Sequence, residues 1–123
     1  MNDFRKLQVW HKAHTLTLAV YRATSAFPSG ERFGLVAQIR RAAVSIPANI
    51  AESCGRRTNR DEAHLLQVAF GSTCELEAEL LVARDLGYLS AEDRGLLDVD
   101  VPEVKRMLSG LARRTFARSA EGR

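Results

Sequence analysis

The sequence predicts an all-α protein that folds as one antiparallel up-down-up-down four-helix bundle. Apolar residues recur at steps of three and four along most of the chain, which is typical of amphipathic helices. No segment alternates with the period of two that a half-buried strand requires, and the short connections favour antiparallel neighbours. With 123 residues, 46% of them hydrophobic and 27% charged, the chain is long enough for one domain. Aromatic residues make up only 7%, so the core must be aliphatic.

Four helices are predicted, each from its own apolar stripe. They span about residues 5–26, 32–54, 60–86 and 91–114, and residues 115–123 are expected to form a less ordered tail. Phe27-Pro28-Ser29-Gly30 ends helix 1, because the residue before a proline disfavours helical backbone, and Gly55 ends helix 2. Asn59 with Glu62 three residues later resembles a capping box at the start of helix 3, and Gly87 ends that helix.

Two prolines fall inside predicted helices. Pro47 in helix 2 removes the backbone hydrogen bond to the Ala43 carbonyl, so we expect a bend near Ala43. Pro102 is tolerated only near a helix start or at a kink, which leaves open whether helix 4 begins near Ser90 or at Val101.

Helix 2 carries a polar stripe beside its apolar face, and polar residues of helix 3 share a face that could meet it. We call the two together the polar ladder: Gln38, Arg41, Ser45, Asn49 and Glu52 of helix 2, and Ser72, Glu75 and Glu79 of helix 3. Ser45 and Asn49 suit a freely solvated helix poorly, because their side chains compete for backbone hydrogen bonds. We therefore expect a partly buried ladder in which Arg41 forms a charge-assisted pair with helix 3. A solvated polar face is the alternative.

The net charge of +3 is unevenly distributed along the chain. Residues 61–100 are strongly acidic, whereas the segments on either side are basic. Pairing of these charges within the chain or across a subunit boundary is favoured, and an exposed nucleic-acid surface is the alternative. The C-terminal cations are the hardest to pair internally: Lys105, Arg106, Arg113, Arg114, Arg118 and Arg123. The candidates for nucleic-acid contact are Arg56, Arg57, Arg60, Lys105, Arg106, Arg113 and Arg114.

The sequence predicts no catalytic residues, no metal site and no cofactor. A di-metal bundle requires two Glu-x-x-His pairs, and Asp61-x-x-His64 is one imperfect pair. His11 and His14 lack a nearby carboxylate on their helix face. No glycine-rich phosphate loop occurs, and no serine or cysteine has a histidine at adjacent helical spacing.

Two further features of the sequence predict whether the chain spans a membrane and in which compartment it is located. No apolar stretch approaches the roughly 20 residues that span a bilayer, so no membrane helix is expected. Cys54 and Cys74 are expected to be reduced thiols of a cytoplasmic protein.

One run in helix 2 resembles a known family signature. Gln38-Ile39-Arg40-Arg41-Ala42-Ala43-Val44-Ser45-Ile46-Pro47-Ala48-Asn49-Ile50-Ala51-Glu52, followed by Gly55-Arg56, is similar to that of the bacterial four-helix bundle family, also called the ribosomal-RNA intervening-sequence protein family. Matching segments elsewhere are Leu7-Gln8-Val9-Trp10, Phe33-Gly34-Leu35, Gly71-Ser72 and Leu86-Gly87-Tyr88-Leu89. The resemblance covers roughly residues 4–115. The family commonly has glycine after the Ala-Glu pair, where this chain has Ser53-Cys54.

The resemblance implies a four-helix bundle that assembles in the cytoplasm into a ring-like homo-oligomer, typically a pentamer, without established enzymatic activity. A related accessory protein of diversity-generating retroelements binds a reverse transcriptase and nucleic acid through a basic surface. By analogy, RNA, DNA or a nucleic-acid enzyme is the implied partner. Two functions stay open: an oligomeric nucleic-acid-associated or partner-binding adaptor, and a protein-interaction scaffold whose charges serve only self-assembly.

Overall fold

Residues 3–121, which the computed structural model describes, form four long helices and contain no β-strand. The helices are α1 (Gln8–Thr24), α2 (Leu35–Ser53), α3 (Asn59–Asp85) and α4 (Ala91–Glu121). Single 3-10 turns at Phe4–Lys6 and Ser29–Glu31 precede α1 and α2. Helix α1 packs against α2 and α4, and α3 packs against the same two helices. The predicted antiparallel four-helix bundle is therefore confirmed.

The helix boundaries follow local capping chemistry. The Thr58 hydroxyl accepts a hydrogen bond from the Asp61 N–H at 3.1 Å, so Thr58 is the N-cap of α3. The N-cap is thus Thr58 and not Asn59, where the capping box was predicted, and Asn59 is the first helical residue. Gly87 has a φ of +78°, a left-handed conformation that glycine adopts without steric cost, and it reverses the chain after α3.

Both internal prolines lie well inside their helices. Pro47 has no N–H for the Ala43 carbonyl, and the Thr17 hydroxyl of α1 lies 3.2 Å from that oxygen instead. The bend expected near Ala43 stays a prediction. Helix α4 begins at Ala91, so the alternative start at Val101 is wrong.

Helix α4 also continues well beyond residue 114. The less ordered tail expected over residues 115–123 is wrong for residues 115–121, which are helical. Thr115 is fully buried and Ser119 is 9% exposed, so the last turns have a packed side. Residues 122–123 lie outside the described residues.

The core is aliphatic, as the composition predicts. Its largest fully buried apolar side chains are Leu16, Val20, Ile39, Ile46, Ile50, Leu66, Leu76, Val104 and Leu108. Burial of such side chains contributes roughly 1.5–3 kcal/mol each, and this is the main force that holds the four helices together. None of the helices described is long and apolar enough to cross a membrane.

Candidate functional site

The middle of the polar ladder is a hydrogen-bonded contact between α2 and α3. The hydroxyl oxygens of Ser45 and Ser72 are 2.7 Å apart. The Asn49 amide donates to the Ser45 carbonyl at 2.8 Å and to the Ser45 hydroxyl oxygen at 3.0 Å. Either hydroxyl can be the donor in the Ser45–Ser72 contact, because the Ser45 oxygen uses one lone pair for Asn49 and keeps its hydrogen and a second lone pair. All three side chains are half-buried, and they join the two helices at mid-length.

The outer members of the ladder do not join this network. Glu52 pairs with Arg56 one turn further along the chain, and both are exposed. No ion pair within 4.0 Å connects Arg41 with Glu75 or Glu79, so the structure does not form the charge-assisted pair expected from the sequence. Gln38, Arg41 and Glu75 are exposed.

Glu79 of the polar ladder has an unusual electrostatic environment. It helps to line a shallow groove of about 470 Å³ between α2 and α3, with Gln38, Arg41, Ala42, Ser45 and Glu75. Its Oε1 atom is buried and has no hydrogen-bond partner in the part of the chain that the structure describes. Burial raises the pKa of Glu79, the nearby Glu75 carboxylate raises it further, and Arg41 opposes both effects. The carboxyl group thus lacks a donor that its buried oxygen could accept from.

One end of the bundle is rich in basic side chains. Antiparallel packing places the starts of α1 and α3 and the ends of α2 and α4 together, and we call this the basic end. Its cations are Arg5, Lys6, Arg56, Arg57, Arg60, Arg106, Arg113, Arg114 and Arg118. The acidic residues near these helix ends are fewer: Asp3, Glu52, Asp61, Glu62 and Glu121. Residues distant in sequence therefore contribute to one positive surface.

Most of these cations have no acidic partner within 4.0 Å among residues 3–121. Arg5 pairs with Asp3 at 3.2 Å and Arg56 with Glu52. Within the described part of the chain, five of the predicted contact residues are exposed and form no ion pair within 4.0 Å: Arg57, Arg60, Arg106, Arg113 and Arg114. Their charge is available to a ligand.

Lys105 differs from the other predicted contact residues. It is half-buried, and its ammonium group donates to the Glu77 carboxylate of α3 at 2.9 Å. The hydrogen bond and charge of Glu77 raise the pKa of Lys105. Lys105 thus connects α4 to α3 within the chain.

Two shallow surface cavities lie at the basic end. One of about 480 Å³ is lined by the α2–α3 turn and by α4, and it brings Arg118 together with Arg56 and Arg57. The other, of about 360 Å³, lies between the start of α1 and α4 and is lined in part by Arg106 and Arg114.

Three cations of the basic end are not in the predicted contact set: Arg5, Lys6 and Arg118. Arg118 is in the segment that was expected to be a less ordered tail, although it was also named among the cations hardest to pair internally. The signal that could have placed it is the stride of Ala112, Thr115 and Ser119, which continues the buried face of α4. Arg123, another cation of that tail, lies outside the described residues.

No metal-binding or disulfide chemistry is evident in the residues described. No group of three or more His, Cys, Asp and Glu side chains within residues 3–121 is placed to hold a metal ion. Cys54 and Cys74 are free thiols, and burial raises the pKa of Cys54.

The fold and these surfaces define the class of the protein. It is a small helical-bundle protein with a polar ladder between two helices and a basic end. The family model of the 23S rRNA-intervening sequence protein matches residues 5–110, so the chain belongs to that family. The resemblance inferred from the helix 2 run is confirmed. This is not a known enzyme family. A search of curated proteins finds no significant match. The matched region ends before Arg113, Arg114 and Arg118, so the last part of the basic end is outside it.

Proposed function

We propose that this protein is a non-enzymatic adaptor that binds nucleic acid through the phosphates at its basic end. The observation that supports this most is the group of exposed arginines that form no ion pair among the described residues. They come from the α2–α3 turn, the first turn of α3 and the C-terminal half of α4. Guanidinium groups bind phosphates through paired hydrogen bonds and stay charged at any physiological pH. The proposal does not depend on Lys105, because Glu77 occupies it.

Assembly is part of the proposal. The family resemblance implies a ring-like cytoplasmic homo-oligomer, typically a pentamer. In such an assembly each subunit presents its own basic end, and several weak phosphate contacts on one strand would act together. A partner enzyme that works on nucleic acid would then be brought to the bound strand.

A scaffold without nucleic-acid affinity is the alternative function, and one observation favours it. The buried Oε1 atom of Glu79 lacks a donor among residues 3–121, and the same two helices carry exposed valines: Val44 on α2, and Val68 and Val82 on α3. An arginine or lysine of a second subunit would supply the missing donor. In that case the basic residues serve assembly, which salt weakens.

Titration of labelled RNA and labelled duplex DNA with the purified protein, followed by fluorescence anisotropy at several salt concentrations, tests the proposal. The logarithm of the affinity should fall linearly with the logarithm of salt, with a slope of about −0.9 for each neutralised duplex phosphate and about −0.7 on a single strand. Sedimentation at the same salt concentrations reports assembly independently. Absence of binding at low salt, together with an oligomer that dissociates in high salt, would favour the scaffold.

A further inference from the structure

We propose that the basic end prefers single-stranded over double-stranded nucleic acid, because an unpaired base stacks on an aromatic cluster formed by Phe4, Trp10, His11 and His14. This inference rests on the proposed function and specifies the class of nucleic acid that the basic end takes.

The other three rings of the aromatic cluster pack around the Trp10 indole. The Trp10 and His14 rings are stacked, with centroids 4.9 Å apart and planes 13° apart. Phe4 and His11 meet the indole edge-on, at centroid distances of 5.0 Å and 5.2 Å. His14 lies one turn after Trp10 on α1 and is exposed, whereas Trp10 is half-buried against the core. The stack therefore runs from the core towards solvent and ends on an exposed flat ring.

The cluster is held in place before any ligand arrives. A ring nitrogen of His11, Nε2, lies 2.5 Å from the Arg5 carbonyl oxygen, which ties the 3-10 turn at Phe4–Lys6 to α1. The same turn packs against α2. A preformed aromatic surface loses little conformational entropy when a base binds.

The aromatic cluster and the cations lie at the same end of the bundle. It lies at the start of α1 and therefore at the basic end. Arg5 sits over the Phe4 ring at 5.7 Å but is engaged by Asp3, so Lys6 is the exposed cation of this turn without an ion pair among the described residues. Single strands offer base faces to aromatic rings, whereas a duplex keeps its bases stacked inside. A base on the cluster and phosphates on the arginines would together discriminate in favour of single strands.

The test uses the single tryptophan of the chain as the reporter. Four labelled oligonucleotides of about 12 nucleotides, a length within the range of single-strand site sizes, are titrated at one salt concentration: single-stranded RNA, single-stranded DNA of the same sequence, the duplex and an abasic single strand. Anisotropy measures binding, and Trp10 fluorescence measures stacking. We expect both single strands that carry bases to bind more tightly than the duplex and to quench Trp10. The abasic strand should bind through charge without quenching.

His14→Ala should weaken single-strand binding by about fivefold or more, as loss of one base-stacking contact does, and should leave duplex binding unchanged. His64→Ala is the matched control, since His64 is also an exposed helical histidine near the basic end and lies outside the cluster. If the aromatic cluster only anchors the 3-10 turn, single strands and duplex bind with equal affinity and the Trp10 fluorescence does not change. That result overturns the inference but does not contradict the proposed function. Trp10 quenching that His14→Ala does not reduce also overturns it. Failure of all four oligonucleotides to bind refutes the proposed function itself.

Discussion

Replacement of Thr17 by valine should reveal how the bundle accommodates the proline inside α2. The Ala43 carbonyl has no intrahelical donor, because position 47 is a proline. The Thr17 hydroxyl lies 3.2 Å from that carbonyl and 2.8 Å from the Ala13 carbonyl of its own helix, and it has a single hydrogen to give. Ala43 and Pro47 are both buried, so water does not readily replace the hydroxyl.

The expected magnitude follows from the buried carbonyl. Valine preserves the shape of threonine, so Thr17→Val mainly leaves the Ala43 oxygen unsatisfied, at a cost of about 1–3 kcal/mol. In a Pro47→Ala background, the N–H of residue 47 donates to that oxygen, and the same substitution should cost less than about 1 kcal/mol. The difference between the two costs is the coupling energy, and any effect of Pro47→Ala alone cancels from it.

Urea unfolding followed by circular dichroism, applied to the four members of this double-mutant cycle, measures the coupling. Thr73→Val is the matched control, because the fully buried Thr73 hydroxyl donates to the Ala69 carbonyl of its own helix at 2.9 Å and, among the described residues, to no other group. A Thr17→Val cost that agrees in both backgrounds within about 0.5 kcal/mol would refute the reasoning and assign the hydroxyl to Ala13 alone.

Two further predictions concern stability. Because the pKa of Glu79 is raised, the folded chain keeps a proton between the ordinary carboxyl pKa and the raised pKa, whereas the unfolded chain has released it. The free energy of unfolding should therefore fall as pH rises through this range. In thermal melts over the same range Glu79→Gln should show a flatter pH dependence, and parallel profiles of the two proteins would contradict the prediction. Thr58→Ala should lower the free energy of unfolding by about 1 kcal/mol, because the Asp61 N–H loses its cap, and an unchanged urea midpoint would show that another group caps α3.

The fold was predictable because the apolar stride, the turn residues and the short connections all favour the same bundle. The end of α4 could not be predicted in the same way, because the residues buried there, Thr115 and Ser119, are polar and do not belong to an apolar stripe. Their hydroxyl groups find partners nearby: Thr115 accepts from Arg118, and Ser119 donates to the Phe116 carbonyl at 2.6 Å. Burial of polar side chains that are locally satisfied is a weak signal in a sequence.

The candidate site was predictable only in part, for a similar reason. Helical spacing correctly aligns Ser45 and Asn49, since residues four apart share a face. It does not determine where the long Arg41 side chain goes, because that depends on rotamers and on the register between α2 and α3. The basic end depends on topology: Arg57 and Arg118 are far apart in the chain and meet only because α2 and α4 end together.

The most direct test of a nucleic-acid role compares two double variants with the same net charge. The first variant, Arg113→Gln/Arg114→Gln, removes two exposed cations from the basic end. The second, Arg22→Gln/Arg94→Gln, removes two exposed cations that lie towards the opposite end of the bundle. Among residues 3–121, neither Arg22 nor Arg94 forms an ion pair within 4.0 Å. In salt-dependent anisotropy titrations on RNA, the first variant should bind more weakly, with a salt slope shallower by about 1–2. The second should keep nearly the wild-type affinity and slope. Equal losses in both variants would show that net charge alone drives binding and would contradict a site at the basic end.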